Sequence, residues 1–217
     1  MHPLPAPANP PKPPHRLSAY LPEEAIDIIA GWEQRYQVVI SAVRPMKHAY
    51  GVFLPSEKDR SHRIRINENL NPYAFLITLV HEMAHLTTWL HYSHRVEAHG
   101  PEWKLQFRKL MDEFRGRRIF PLRVTEAFRR HLQHPTYTHC CDPELMRALR
   151  RYDAVAGVAL EQLPDGAEFR FEGQQYRKVR RLRRRILCRH LMRRSDYAFE
   201  PYVVVQPVSI NPERTSA

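Results

Sequence analysis

Apolar residues recur every three or four positions in several stretches of the chain, and this spacing predicts helices with a buried face. The predicted helices run from Leu21 to about Gln34, from Asn71-Pro72 to about Trp89, from Gly100-Pro101 onwards, from Arg123 to Leu132 and from Pro143 to Tyr152. The second of these is apolar nearly all round in its first half, which predicts a buried central helix. Asn71 offers it a cap and Pro72 a first helical residue.

Other stretches alternate apolar with polar residues or are rich in β-branched residues, as is typical of strands. They cover residues 36–43, 50–54, 62–67, 168–171, 175–179, 185–192 and 202–208. Helices and strands in this order predict the α+β class. We expect a small mixed or antiparallel sheet with packing helices around the central helix, followed by a small, mostly β appendage.

Composition divides the chain into four parts. Residues 1–16 include seven prolines, and such a segment cannot bury a core, so we interpret it as a disordered arm. Residues 17–139 form the first predicted domain and residues 140–210 a small, basic, β-rich domain. Residues 211–217 are a tail.

The central helix carries the segment His81-Glu82-Met83-Ala84-His85. At about 100° per residue, His81 and His85 lie one turn apart on one face, where two imidazoles can chelate a single Zn²⁺. Glu82 lies beside that face without being a ligand, which is the position of a general base. The alternative is an ordinary helix whose His and Glu hydrogen-bond in the core or face solvent. In so apolar a helix, this cluster is costly to bury without compensation.

A catalytic zinc also needs a third protein ligand and an open position. The downstream candidates are His91, His94, Glu97, His99 and Glu102. If the helix continues beyond Thr88, His91 faces away from His85, so we discount it. His99 directly precedes Gly100-Pro101, a turn that can bring it back over the central helix. His94 and Glu97 are weaker candidates.

The segment HEMAHLTTW, a short spacer and then HGPEWK at residues 99–104 resemble the SprT-like family, which includes the Spartan DNA-repair proteases. The resemblance covers roughly residues 17–135. It implies a zincin-like metalloprotease domain with one catalytic Zn²⁺ held by His81, His85 and His99, and with Glu82 as the catalytic base. It also implies proteolysis near DNA, as in the repair of DNA–protein crosslinks. We interpret Trp89 and Trp103 as packing residues.

The chain has 217 residues and a net charge of +11, which suggests a polyanionic partner. Residues 173–195 hold ten Lys and Arg and no acid, so the other 194 residues sum to +1. If this segment is a hairpin, its arginines suit the phosphates of DNA or RNA. The predicted nucleic-acid contacts are Arg177, Lys178, Arg180, Arg181, Arg183, Arg184, Arg185 and Arg189. The alternative is a solubilising face on an edge hairpin.

The cysteines are few, and they depart from the paired cysteines of the zinc ribbon that many SprT-like proteins carry. Cys140, Cys141 and Cys188 argue against a disulfide framework and fit a reducing compartment. A second metal site from His139, Cys141, Cys188 and His190, with adjacent Cys140, is an alternative to three reduced thiols. We find no apolar run long enough for a membrane span and no secretion signal, so we expect a cytoplasmic monomer, with association with the nucleoid as an option.

Three hypotheses for function follow. The first is a zinc metallopeptidase that cleaves proteins on or near nucleic acid. The second is a non-catalytic, zinc-containing nucleic-acid-binding protein that acts in transcription or genome maintenance. The third is a general peptidase whose basic hairpin binds acidic proteins.

Overall fold

The computed structural model describes residues 15–46, 49–56, 61–133, 142–154 and 157–208. Its contacts divide the chain into two compact units, Met1–Phe120 and Pro121–Ala217. The predicted domain boundary at residue 139 lies outside the described residues, as do most of the proline-rich arm and the tail at 211–217. That boundary therefore stays a prediction.

The N-terminal unit contains a three-stranded mixed sheet and three helices. Its elements are a 3-10 turn at Glu23–Ala25, then α1 (Ile26–Tyr36), β1 (Val38–Val43), β2 (Gly51–Leu54), β3 (His62–Asn67), α2 (Pro72–Tyr92) and α3 (Pro101–Asp112). The strand order is β1-β3-β2, with β1 parallel and β2 antiparallel to β3. Among the described strands, β2 therefore lies at an edge of this sheet.

Helix α2 is the buried centre of this unit. The Asn71 side chain accepts a hydrogen bond from the Ala74 main-chain N–H at 3.0 Å, which is the predicted cap. The apolar side chains from Phe75 to Leu86 are inaccessible to solvent because α2 packs against β2, β3 and α3. Burial of each large apolar side chain stabilises the fold by about 2 kcal/mol. Within the described ranges, none of the helices combines the length and hydropathy needed to cross a bilayer.

The C-terminal unit contains two helices and a six-stranded antiparallel sheet. Its elements are α4 (Leu122–Gln133), α5 (Pro143–Arg150), β4 (Val158–Ala159), a 3-10 turn at Leu160–Gln162, β5 (Glu168–Phe171), β6 (Gln174–Arg181), β7 (Ile186–His190), β8 (Asp196–Phe199) and β9 (Val204–Pro207). The strand order is β4-β9-β5-β6-β7-β8. The α+β class and the β-rich C-terminal region are thereby confirmed.

One face of this second sheet carries its own core. The buried residues are Leu160, Phe169, Tyr176, Ile186, Cys188 and Val205. Phe169 stacks on Tyr176, with 5.6 Å between ring centroids, because the two residues are paired across β5 and β6. The C-terminal unit thus has a hydrophobic core built from its own strands. Strands β4 and β8 were not predicted, since each is short and neither contains a fully buried residue that would mark an inner face.

Candidate metal centre and basic hairpin

Two helices bring three histidines together. His81 and His85 lie one turn apart on α2, and the chain then reverses so that His99 directly precedes α3. The His81 Nε2 atom is 3.1 Å from His85 Nε2 and 3.1 Å from His99 Nε2. The three potential ligand atoms all lie within 4.8 Å of one another. No other group of three His, Cys, Asp or Glu in the described part of the chain converges in this way.

The spacing of these nitrogens fits a metal ion. Zinc binds imidazole nitrogen at about 2.0–2.1 Å in a tetrahedron, which separates two ligand nitrogens by about 3.3 Å. The observed separations of 3.1 Å between Nε2 atoms are close to that value. Three histidines leave a fourth position open, as in catalytic zinc sites. The donor set is therefore compatible with one zinc ion.

The electrostatics of the site keep the imidazoles in the form that binds metals. Burial, with a smaller effect of His99, lowers the pKa of His85 to about 4. Burial, with a smaller effect of Lys104, also lowers the pKa of His99. A neutral imidazole has a free lone pair, so neither residue needs to lose a proton before it can coordinate a cation near neutral pH.

Trp103 lies against all three histidine rings. Its ring centroid is 4.7 Å from that of His81, 5.5 Å from His85 and 4.9 Å from His99. Trp103 is buried and stacks on Phe107, at 5.1 Å between centroids, one turn along α3. The indole therefore restricts the rotation of the imidazoles, a packing role that the sequence did not connect with the metal site.

The Glu82 side chain contacts β2. Its side chain is 7% exposed, and burial raises the pKa of the carboxyl to about 7. The main-chain N–H of Phe53 donates a hydrogen bond to this carboxylate, which acts in the opposite direction and lowers its pKa. A carboxyl whose pKa lies near neutrality is suited to accepting and returning a proton.

The other candidate ligands lie outside this cluster. Helix α2 continues to Tyr92, so His91 faces away, is exposed, and contacts the Thr87 carbonyl oxygen through Nδ1 at 2.7 Å. His94 and Glu97 are exposed in the loop that follows. Of the downstream candidates, only His99 joins the cluster of described residues.

The basic segment does form a hairpin, but acids on adjacent strands pair with much of its charge. Arg177 and Arg189 lie directly opposite each other on β6 and β7. Arg177 donates to Glu168 on β5 at 2.7 Å, and Arg189 donates to Asp196 on β8 at 2.8 Å. These four side chains form a charged row across four strands, which we call the paired row. Its net charge is zero.

Three further predicted contacts have acid partners, and one of them, Lys178, is buried and lies 3.5 Å from the Asp165 carboxylate. Arg185 donates to Glu200 at 3.0 Å, and Arg181 lies 3.7 Å from Glu161. Lys178 is only 6% exposed, and its Nζ donates to the Leu163 carbonyl oxygen at 2.5 Å. The Lys178 side chain therefore lies on the buried face of the sheet and does not belong to an exposed basic surface.

The remaining predicted contacts, Arg180, Arg183 and Arg184, are exposed at the end of the hairpin. Arg183 and Arg184 lie in the turn that the hydrogen bond from Leu182 N–H to the Arg185 carbonyl closes at 2.7 Å. None of the ion pairs found among the described residues involves these three arginines. We call them the hairpin tip.

The alternative second metal site lies mostly outside the described residues, which exclude His139, Cys140 and Cys141. Cys188 is a free, buried thiol. His190 is engaged on both ring nitrogens, since Nε2 lies 3.2 Å from the Gln174 side-chain oxygen and Nδ1 accepts from the Arg193 N–H at 3.1 Å.

Comparison with protein families finds a match over the part of the chain that contains the histidine cluster. The model of the SprT-like family matches residues 24–126, a span that contains all three histidines and Glu82. Residues 24–126 belong to the SprT-like family. That family is associated with metallopeptidase function, so this chain carries a domain of the metalloprotease type. No curated protein and no solved structure matches the chain significantly.

Two features of the SprT-like site could not be found from its motif. The hydrogen bond from Phe53 to Glu82 depends on the position of β2, some thirty residues earlier in the chain. The close approach of Gly51 to α2 depends on the same position. The only sequence signal was a glycine at the start of a short predicted strand, which indicates a close backbone approach without naming its partner.

Proposed function

We propose that this chain is a zinc-dependent peptidase that cleaves proteins bound on or near nucleic acid. The observation that carries the proposal is the convergence of three histidine Nε2 atoms beside a buried glutamate within an SprT-like domain. His81, His85 and His99 would hold the zinc. When bound there, zinc supplies a Lewis acid that activates water and polarises a peptide carbonyl.

Glu82 carries the proton transfers in this proposal. Its carboxylate accepts a proton from the attacking water and then delivers that proton to the leaving amine. Burial and the hydrogen bond from the Phe53 N–H together give the carboxyl a pKa of about 7, which suits a group that accepts and returns a proton near neutral pH. Trp103 and the short α2–α3 connection keep the histidines in place beside it.

A protein substrate is supported by the position of β2. This strand is an edge of the N-terminal sheet among the described strands, and its Phe53 main chain contacts Glu82. An extended peptide can pair with a sheet edge through main-chain hydrogen bonds, largely without regard to its side chains. The geometry thus favours an unfolded or extended segment of protein as substrate.

The decisive variant is Glu82→Gln, matched with Glu97→Gln as control. Both changes remove one carboxylate, but Glu97 is exposed and outside the histidine cluster. With unfolded casein as the probe, and with DNA both present and absent, Glu82→Gln should lose about 10³-fold or more in cleavage rate while it retains one zinc. Glu97→Gln should cleave like the wild type.

Full cleavage by Glu82→Gln would refute the mechanism. One tightly bound zinc in a wild-type protein that cleaves neither casein nor itself would favour the non-catalytic alternative. Either result is obtained with the full chain.

We further propose that the C-terminal sheet binds the backbone of DNA or RNA through the hairpin tip, in the cytoplasm at or near the nucleoid. Arg180, Arg183 and Arg184 are exposed and have no acid partner among the described residues, whereas the paired row must give up ion pairs before it binds phosphate. Each arginine that contacts a phosphate adds about 0.9 to the slope of log affinity against log salt concentration.

Two triple variants with equal loss of charge test this assignment. Substitution of Arg180, Arg183 and Arg184 by Gln should reduce the salt slope for double-stranded DNA by about 3. Substitution of Arg177, Arg185 and Arg189 by Gln, all of which have acid partners, should reduce it by about 1 or less. Equal effects of the two triples would contradict the role of the hairpin tip. Binding to an acidic protein but not to DNA or RNA would favour the general peptidase.

A further inference from the structure

The start of β2 crosses α2 at the residue that we assign as the base. A Cβ atom built on Gly51 would lie 2.9 Å from Glu82 Cγ, 2.7 Å from Thr78 Cγ2 and 2.8 Å from Ile66 Cδ1. Carbon atoms in protein cores pack at about 3.5–4.0 Å, so none of these contacts is tolerated without movement. Gly51 is not among the glycines with positive φ, so its absence of a side chain serves this close approach rather than a turn.

The atoms around Gly51 have little freedom to move. Ile66 is fully buried in β3, and Thr78 is buried on α2 with its hydroxyl donating to the Ala74 carbonyl oxygen at 2.8 Å. Glu82 lies one helical turn beyond Thr78 on the same face. An added methyl group would therefore displace either the strand or the glutamate side chain.

Movement of the strand would also break its contact with the glutamate. Phe53 lies two residues beyond Gly51 on β2, and its main-chain N–H donates to the Glu82 carboxylate. On the other side of the strand start, the Tyr50 carbonyl oxygen accepts from the Asn67 N–H at 2.8 Å. The buried Asn67 side chain also donates to the Ala49 carbonyl oxygen at 2.9 Å, so the main chain before Gly51 is fastened to the end of β3.

We propose that Gly51 is a positioning residue for the catalytic base. Its bare main chain lets β2 approach α2 closely enough for the Phe53 N–H to hold the Glu82 carboxylate in one orientation beside the three histidines. This inference rests on the proposed peptidase function. It adds that the geometry of the base is set by a strand outside the motif that carries it.

The test compares Gly51→Ala with Gly31→Ala in the full chain. Gly31 lies in α1, where a built Cβ meets nothing within 4 Å, so this control adds the same methyl group without a clash. Gly51→Ala should retain one zinc and lose about 100-fold in kcat on unfolded casein with KM nearly unchanged, because a shift of about 1 Å in a catalytic group costs that much. Gly31→Ala should retain the wild-type kcat and KM.

A readout on the metal-free protein tests the contact itself. Hydrogen exchange at the Phe53 amide should be faster in Gly51→Ala and unchanged in Gly31→Ala, since only the first variant disturbs the bond to Glu82. Wild-type kcat together with unchanged Phe53 exchange in Gly51→Ala would overturn the proposal. It would leave the peptidase function standing, because that function is tested independently by Glu82→Gln.

A relief variant separates positioning of the base from general destabilisation, should Gly51→Ala fold poorly. Ile66→Val removes the Cδ1 atom and Thr78→Ser removes the Cγ2 atom, so that in Gly51→Ala/Ile66→Val/Thr78→Ser the contact with Glu82 Cγ remains. This triple variant should fold and bind zinc but keep the low kcat, whereas Ile66→Val/Thr78→Ser alone should be active. Restoration of kcat in the triple variant would show that Glu82 is not what Gly51 accommodates.

Discussion

Removal of the third histidine gives a prediction whose size follows from the geometry of the site. Of the three proposed ligands, His99 alone lies outside α2, so His99→Ala leaves two imidazoles on one helix. Loss of even a residue that supports a zinc ligand lowers metal affinity by about 10–100-fold. Loss of a direct ligand should therefore lower zinc affinity by at least about 100-fold.

This loss of affinity is measurable as stability. At a free zinc concentration about 1,000 times the dissociation constant, the metal stabilises the wild type by about 4.1 kcal/mol. A site weakened about 100-fold retains about 1.4 kcal/mol under the same conditions, a loss of about 2.7 kcal/mol. For a unit of about 100 residues, that difference lowers the zinc-dependent rise in Tm by about 10 °C.

The assay records Tm with zinc and with a chelator for the wild type, His99→Ala and His91→Ala. His91 is the matched control, because it is an exposed histidine near the end of the same helix and contacts only its own helix through Nδ1. His91→Ala should keep the full zinc-dependent rise. An undiminished rise and one equivalent of zinc in His99→Ala would refute the three-histidine site.

Three further predictions concern the fold. Asn71→Ala removes the cap of α2 and should lower the free energy of unfolding by about 1 kcal/mol in urea denaturation; an unchanged midpoint would contradict the capping role. Burial raises the pKa of the Cys188 thiol to about 12, so at pH 8, with Cys140 and Cys141 replaced by Ser, it should react with iodoacetamide only when the protein unfolds. Rapid labelling of the native protein would contradict the burial of this thiol. Because the thiol ionises near its ordinary pKa only in the unfolded chain, it also makes the free energy of unfolding fall as pH rises above about 9. Arg189→Gln removes an exposed ion pair and should leave the midpoint of the same urea assay nearly unchanged, so a clear loss of stability would show that the paired row is a structural element.

The proposed metal ligands on α2 could be predicted from the sequence because helical periodicity alone relates His81 to His85. His99 required more, namely the turn before α3 and the family resemblance, since the chain must reverse before that residue can return to α2. The partners of Glu82 were not accessible, because Gly51 and Phe53 belong to a short strand whose placement depends on packing between distant elements.

The hairpin shows a different limit. The sequence located its strands but not its acid partners, because the pairs of Arg177 with Glu168 and of Arg189 with Asp196 depend on the register of four strands. Lys178 follows the buried Tyr176 by two residues, so the ordinary alternation of a strand places it on the inner face, whereas the sequence prediction assigned it with its basic neighbours to an exposed face.

In the proposed function, one zinc ion in the three-histidine site makes this chain a peptidase. The most direct measurement removes the metal with a chelator and then titrates zinc back while cleavage of unfolded casein is followed. We expect no cleavage by the metal-free protein and full recovery at one equivalent of zinc. Cleavage that persists in the metal-free protein, or that stays absent in protein with one bound zinc, would contradict it.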